Sequence, residues 1–383
     1  MLPVHGAVVS GAPDAGVAAH YGDPSREQRM LAAGRAVVDL SHLGVVTVTG
    51  SDRLSWLDTL SSQRVRTLAP GESAELLLLD VHGRVEHSAA LVDDGVHAFL
   101  VTEAAHAEPL AAYLDRMRFM LDVAVATAHV AVLGVVLSGA SAGLAAIAEA
   151  ADAVAADRDA SPTDVLRTTW RDPWPGVVAG GTRYAVVADH PGALTPTAYA
   201  LVAGEAFDDV VAHLLRAGVP VAGTLAWEAL RVAAWRPRLG REVDDRTMPH
   251  ELDWLRTAVH LDKGCYRGQE GVARTYNLGR PPRRLTMLHL DGSDHLLPEP
   301  GAAVALGEKV VGRVTSAARH HELGPVALAI LKRSVPVDVE LRVQGPAGDI
   351  SASQEIVVGA DGHGEGRPEA RGPVTPGLRR RTE

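Results

Sequence analysis

Residues 38–60 read VDLSHLGVVTVTGSDRLSWLDTL, and two kinds of periodicity meet inside them. VVTVTG alternates valine with threonine, the period of a strand with one face buried. SDRLSWLDTLSSQRV then opens on Ser51 and Asp52, candidates for the N-cap of a helix that sets Leu54, Leu57 and Leu60 on one face. Upstream, REQRMLAAGRAVVDLSHLG reads as a capped helix that turns at Gly34 into a strand. Downstream, AELLLLDVHGRVEHSAALVDD reads as a hairpin through Asp80 to Gly83, and EAAHAEPLAAYLDRMRFM as a helix. Strands and helices follow one another without strict βαβ alternation, so the expected class is α+β.

The stretch 123–148 carries no charged residue and is long enough to span a bilayer, but its β-branched run, turn-like SGASAG and alanine-rich continuation read as strand, turn and helix. No membrane association is expected. A loop rich in Asp, Pro and Trp is expected over 157–181, followed by the strand TRYAVVAD, a strand near AYALVAG and the helix DDVVAHLLRAG. GTLAWEALRVAAWRPRLG reads as a helix beginning near Thr224. From Arg284, RRLTMLHLDG, AAVALGEKVVGRVTSAA, GPVALAILKR and DVELRVQG alternate between turns, as in a small antiparallel barrel or sandwich. Residues 1–20 are small and polar enough for a loose arm. Residues 359–383 hold almost no large apolar side chain and are expected to be a disordered tail, whose Arg379 to Arg381 are either solvated or touch an anion.

At 383 residues the chain exceeds what one core usually serves, so two or three packed units are expected. A net charge of −10 counts against a surface built for nucleic-acid backbone and leaves room only for a local basic patch. A single cysteine excludes an internal disulfide framework and a CxxC zinc site. With a start that lacks the basic and apolar regions of a signal peptide, this points to a reducing, cytoplasmic compartment.

That cysteine, Cys265, sits in Asp262 to Glu270, D-K-G-C-Y-R-G-Q-E. Lys263 and Arg267 lie two positions either side and would share its face in an extended strand; cations nearby raise the thiolate fraction. Gly264 and Gly268 permit close backbone approach to a ligand or positive φ. Tyr266, Gln269 and Glu270 complete the motif. Two readings follow, an accessible activated thiol or a small buried residue in a turn. One thiol cannot hold an iron–sulfur cluster, which ordinarily needs four protein ligands, so any cluster contact would be transient or shared.

Together, VDLSHLGVVTVTGSDRLSWLDTL, AVHLDKGCYRGQE and VVGRVTSAA resemble, in that order, the folate-binding YgfZ/GcvT superfamily, across roughly residues 25–345. K-G-C-Y-x-G-Q-E resembles the signature of the YgfZ branch. The resemblance implies three lobes around a central hole that takes tetrahydrofolate or a one-carbon derivative: a module of two intertwined α+β lobes over 21–280 and a barrel over 281–358. It also implies a role in assembling or repairing iron–sulfur clusters in client enzymes such as the tRNA methylthiotransferase. The related aminomethyltransferases carry paired aspartates a few residues after the position of Gly83, where this chain has Glu86, His87 and Ser88. They also carry R-L-E-A-G where this chain has Arg231 to Trp235, so Ala233 replaces a glutamate suited to a pterin ring. Aminomethyl transfer by the usual apparatus is therefore doubtful. Glu228 lies about 140° round the helix from that position.

On this reading Cys265 and Lys263 are the reactive pair. Glu228, Arg231, Trp235, Glu251, Gly264, Tyr266, Arg267, Gly268, Gln269 and Glu270 line the ligand. Trp227, Trp235 and Trp254 are either a stacking wall or core. Arg231 and Arg236 are plausible partners for ligand carboxylates, and His250–Glu251 could face the same cavity. Arg274, Arg280, Arg283 and Arg284 form either an anion patch, for a polyglutamate tail or RNA, or a solvated linker stiffened by Pro281–Pro282. His42 reads as a hydrogen-bonded structural histidine rather than a catalytic one. His320–His321–Glu322 lacks a third ligand at useful spacing and is taken as a surface loop, so no metal site is expected.

Overall fold

The computed structural model describes residues 2–292 and 296–367. The opening stretch divides between two sheets. Val37–Asp39 enters one sheet; after a short crossing the chain begins the other with Gly44–Thr49. The first sheet has the order Leu166–Arg171, Thr197–Ala203, Val130–Val136, Val37–Asp39, Val221–Ala222, antiparallel except for its last pair. In the second, the order is Ser73–Leu79, Val85–Asp93, His97–Thr102, Gly44–Thr49, Ala124–Thr127, antiparallel throughout.

Each sheet buries one face under helices. Ala142–Asp157 and Phe207–Arg216 set Ile147, Val154, Val210 and Leu214 against the first. Arg53–Leu60 and Ala104–Met117 set Leu57, Leu110 and Leu114 against the second. The two remaining faces meet through Val38, Leu40, Ala90, Val92, Val101 and Trp170. The expected hairpin forms where Asp80 Oδ1 accepts from the His82 and Arg84 amides, both at 2.8 Å.

The third unit is a closed antiparallel barrel, in the order Arg283–Leu290, Gly324–Lys332, Lys309–His320, Ala303–Leu306, Leu341–Gln344, Asp349–Ile356. Alternation along Arg283–Leu290 sends Leu288 and Leu290 inward, while Leu285 and Met287 pack outward on a cluster with Trp235, Trp254 and Leu255. The α+β class and the barrel match what the sequence leads one to expect.

Several expectations need correction. The expected loose arm over 1–20 is held down in its described residues, 2–20: Val8–Val9 pairs with Ala18–His20, Leu2 and Val17 are buried, and Ser10 Oγ meets Thr224 Oγ1 at 2.7 Å. The expected loop over 157–181 contains the strand Leu166–Arg171. TRYAVVAD makes one isolated bridge, Ala185 to Val358, because the Tyr184 and Ala185 amides go to the buried Asp253 carboxylate instead. The helix from Thr224 ends at Ala233, where Trp235 takes a left-handed φ of 56° ahead of Pro237. Residues 359–367 are not a free tail: Thr182 Oγ1 donates to the Glu365 carbonyl at 2.6 Å and Arg183 pairs with the Glu365 carboxylate. Arg379 to Arg381 lie outside the described residues. His320 is buried, its Nδ1 accepting from the Glu322 and Leu323 amides, rather than part of a surface loop. Among the described residues no helix is long and apolar enough to cross a membrane.

Candidate functional site

A cavity of about 120 Å³ opens where the two sheets meet the helix Thr224–Ala233 and the segment after it. Three arginines enter it from one short stretch. Arg231 donates through Nε and Nη2 to Glu228 at 3.0 and 2.8 Å, and through Nη1 to Glu242 at 3.1 Å. Its remaining donors reach the Arg236 carbonyl at 2.7 Å and Ser316 Oγ at 2.6 Å. Arg236 bridges Asp172 at 2.8 Å and Glu75 at 2.7 Å, and lies over the Trp174 ring. Arg238 grips both Glu103 oxygens at 2.7 and 2.8 Å, Glu228 at 2.9 Å and Asp14 at 2.7 Å.

Five carboxylates, Asp14, Glu75, Glu103, Asp172 and Glu228, thus line the cavity with three guanidinium groups. Burial works to raise Glu228, but Arg231 and Arg238 hold it below the usual carboxylate range. Asp14 is likewise held low against burial, by its bonds to His42 and Arg238. Asp172 moves the other way: burial raises it and Glu75 adds to the rise, so Arg236 is outweighed. Trp170 stacks on Tyr199 with ring centres 4.9 Å apart, and Tyr199 faces Trp227, giving an aromatic wall.

Of the expected ligand residues, Glu228, Arg231, Arg236, Trp227 and Trp254 line this cavity. Arg231 and Arg236 do not offer free donors, because carboxylates of the chain itself hold them. Trp235 is core, its Nε1 donating to Met287 sulfur at 3.1 Å and its ring meeting His190 edge-on. Glu251 is fully buried and paired with Arg283, and His250 bonds the Val272 carbonyl. His42 lines the cavity and bonds Asp14 at 3.2 Å. Asp14, Glu75, Glu103, Asp172 and Arg238 were not singled out. Glu75, a lone charge in the apolar strand SAELLLL, is the one with a signal in the sequence.

Nothing from Gly264 to Glu270 lines the cavity. The Lys263 ammonium is buried on the Asp58, Ser61 and Gln63 carbonyls, turned away from any role beside the thiol. Arg267 pairs with Glu86 at 2.7 Å. Gly268, at a φ of 84°, lets the turn pack on the hairpin; a Cβ there would collide with the Asp80 carbonyl oxygen. Its role is therefore packing rather than ligand approach. Tyr266 is buried with its ring under the Lys263 ammonium, and the Gln269 amide donates to the Lys263 carbonyl at 3.4 Å. Gly264 and Glu270 are exposed, as is Cys265 itself. The arginine cluster also disperses. Arg283 is locked to Asp244 and Glu251, and Arg284 is buried in the barrel on Thr286, Gln354 and the Val335 carbonyl; only Arg274 and Arg280 are exposed.

Residues 12–162 match the family described as the GCVT N-terminal domain. An aminomethyltransferase of Nostoc sp. is 27% identical over 345 residues, 83% of this chain and 84% of that protein. A putative chloroplastic transferase of Arabidopsis thaliana is 36% identical over 103 residues, 27% of this chain and 23% of that one. In structure, the glycine cleavage system aminomethyltransferase T of Bartonella henselae superposes with a TM-score of 0.68 at 18% identity, over 92% of this chain and 93% of that one. Residues 12–162 thus resemble a GCVT N-terminal domain, the chain is similar over most of its length to aminomethyltransferases, and it shares the fold of the Bartonella henselae protein.

Proposed function

We propose that the central cavity binds tetrahydrofolate or a one-carbon derivative, and that the protein is a YgfZ-type accessory factor for assembly or repair of iron–sulfur clusters in client enzymes, tRNA-modifying ones among them. The observation that carries the ligand is the surplus of acceptor carboxylates between aromatic walls. A pterin presents an amino group beside a ring N–H, a donor edge that a carboxylate accepts through both oxygens. Arg231, Arg238 and His42 take the other acceptor positions, leaving Asp14 Oδ2 and one position on Glu228 Oε2 for that edge, while Trp170, Tyr199 and Trp227 suit the ring faces. The carboxylates of a glutamyl tail gain no free guanidinium from Arg231, Arg236 or Arg238, so the tail is expected to lie toward the opening. Bound there, the folate would supply or accept a one-carbon unit. Exposed and outside the cavity lining, Cys265 is assigned to contact with the client rather than with folate.

The relatives favour a second reading, folate-dependent aminomethyl transfer. Against it, Ser88 lines the cavity in the stretch where the resemblance leads one to expect aspartates.

Calorimetric titration with tetrahydrofolate tests the ligand. Wild type and Cys265→Ser are expected to bind alike, and Glu228→Gln about tenfold or more weaker, the cost of losing a charged acceptor. No binding by wild type would remove the folate reading. Turnover of an aminomethyl donor with tetrahydrofolate as acceptor would move the conclusion to the second reading. Full activity of iron–sulfur enzymes in cells lacking the protein would remove the accessory role.

A further inference from the structure

We propose that His42 makes the central cavity selective for the reduced pterin, its Nδ1 accepting from a ring nitrogen that carries hydrogen only in the reduced state. The inference rests on the folate reading above. His42 lines the cavity with its side chain only 4% exposed. Its Nε2 lies 3.2 Å from Asp14 Oδ1, while Nδ1 is buried and meets no hydrogen-bond partner among the described residues. Buried polar atoms are nearly always answered, so an unanswered one on the wall of a ligand cavity points to a group that the ligand brings.

The neighbours decide which kind of group that is. An ionised carboxylate only accepts, so the contact with Asp14 keeps the proton of the neutral ring on Nε2 and leaves a lone pair on Nδ1. Asp14 is itself held by Arg238 Nη2 at 2.7 Å. The turn that carries His42 is fixed as well, the Leu43 amide donating to the Leu40 carbonyl at 2.9 Å and the Ser41 amide to Asp39 Oδ1 at 3.0 Å. The acceptor is therefore in place before a ligand arrives, and binding spends little on ordering it.

Folates differ in what they offer such an acceptor. The amino group and the ring N–H beside it, which suit the carboxylates, are present in folic acid and tetrahydrofolate alike and cannot tell the two apart. The two nitrogens of the pyrazine ring carry hydrogen in tetrahydrofolate and lone pairs in folic acid. A lone pair set against Nδ1 would leave two buried acceptors unanswered, and a site built around a hydrogen bond strongly rejects an analogue that lacks the hydrogen. Asp14 Oδ2 thus reads what both ligands share, and the imidazole bonded to Asp14 Oδ1 reads the state of reduction.

Calorimetric titration with tetrahydrofolate under argon and with folic acid tests this, the readout being the ratio of the two dissociation constants. Wild type is expected to bind tetrahydrofolate about a hundredfold or more tighter. His42→Gln keeps an amide at the Nε2 position, toward Asp14, but has no acceptor at the Nδ1 position, and the ratio is expected to fall about tenfold or more. His42→Asn carries its amide oxygen at the Nδ1 position and is expected to keep most of the ratio. A residue that only held the fold would weaken both ligands alike and leave the ratio unchanged. Equal binding of both ligands by wild type, an undiminished ratio in His42→Gln or an equal fall in both variants overturns the proposal and leaves the folate reading standing. Binding of neither ligand by wild type removes the folate reading and this inference with it.

Discussion

The Lys263 ammonium sits at the end of the helix Arg53–Leu60, where carbonyls without intrahelical partners converge. It donates to the Ser61 and Gln63 carbonyls at 2.7 Å each and to that of Asp58, fastening the cysteine turn to a buried stretch of the opening segment. Burial pushes the ammonium down to about 8 against the pull of Asp58, so it keeps its proton at neutral pH. Sequence spacing puts Lys263 two residues from Cys265 and makes the thiol its natural neighbour. The carbonyls that claim it lie 200 to 205 residues upstream, a pairing set by tertiary packing that no local pattern encodes. Lys263→Met therefore leaves the Asp58 and Ser61 carbonyls without a donor and Gln63 with only the Ser61 hydroxyl, and is expected to cost about 3 kcal/mol. Urea unfolding reads the loss, and iodoacetamide labelling of Cys265 is expected to quicken as the turn loosens. An unchanged urea midpoint would mean that water satisfies those carbonyls.

Where one face of a strand is buried, alternation identifies it, as in Leu341–Gln344 of the barrel, whereas Arg283–Leu290 and Gly324–Lys332, buried on both faces, are legible as short apolar runs between turns. Elements held mainly by side-chain bonds are not. The N-terminal arm has the composition of a loose segment, yet Asp14 is buried in it and joins Arg238 and His42. TRYAVVAD has the composition of a strand, yet the Asp253 carboxylate takes the amides that a partner strand would need. Strand Leu166–Arg171 carries polar residues on both faces and gives no period to read. If Asp14 is what ties the arm down, Asp14→Ala should release it. Arg238 keeps Glu103 and Glu228, so the expected loss is about 2 kcal/mol rather than that of a wholly unpaired charge. Limited proteolysis reads the release directly: cleavage within residues 1–20 should become faster in the variant, and an arm still protected would assign its docking to the Ser10–Thr224 contact and the buried Val17 instead.

At the scale of the molecule, the α+β class is legible from the residues, but the interleaving of the two sheets is expected only through the family resemblance, because Val37–Asp39 and Gly44–Thr49 have the same period and differ only in their partners. That interleaving, closed by the barrel, encloses titratable groups far from water. Burial pushes His250 down to about 4, against its bond to the Val272 carbonyl, and His190 down to about 3, with Arg256 and Arg236 adding to the effect. An unfolded chain protonates these rings near pH 6.5 while the folded one does not, so between pH 6.5 and 4 the unfolded state binds more protons and stability falls as pH falls. Each ring can contribute about 3 kcal/mol to that loss. Burial holds Asp172, Glu251 and Asp253 above the usual carboxylate range, and these act in the opposite sense, so the wild-type slope is a net of the two. A variant isolates one ring. His250→Phe keeps an aromatic edge against Tyr184 but cannot take up a proton, and its stability is expected to fall less steeply with acid than wild type, by up to about 1.4 kcal/mol per pH unit. Parallel curves for the two proteins would show that His250 titrates alike in the folded and unfolded chain, and acid sensitivity would then have to arise elsewhere.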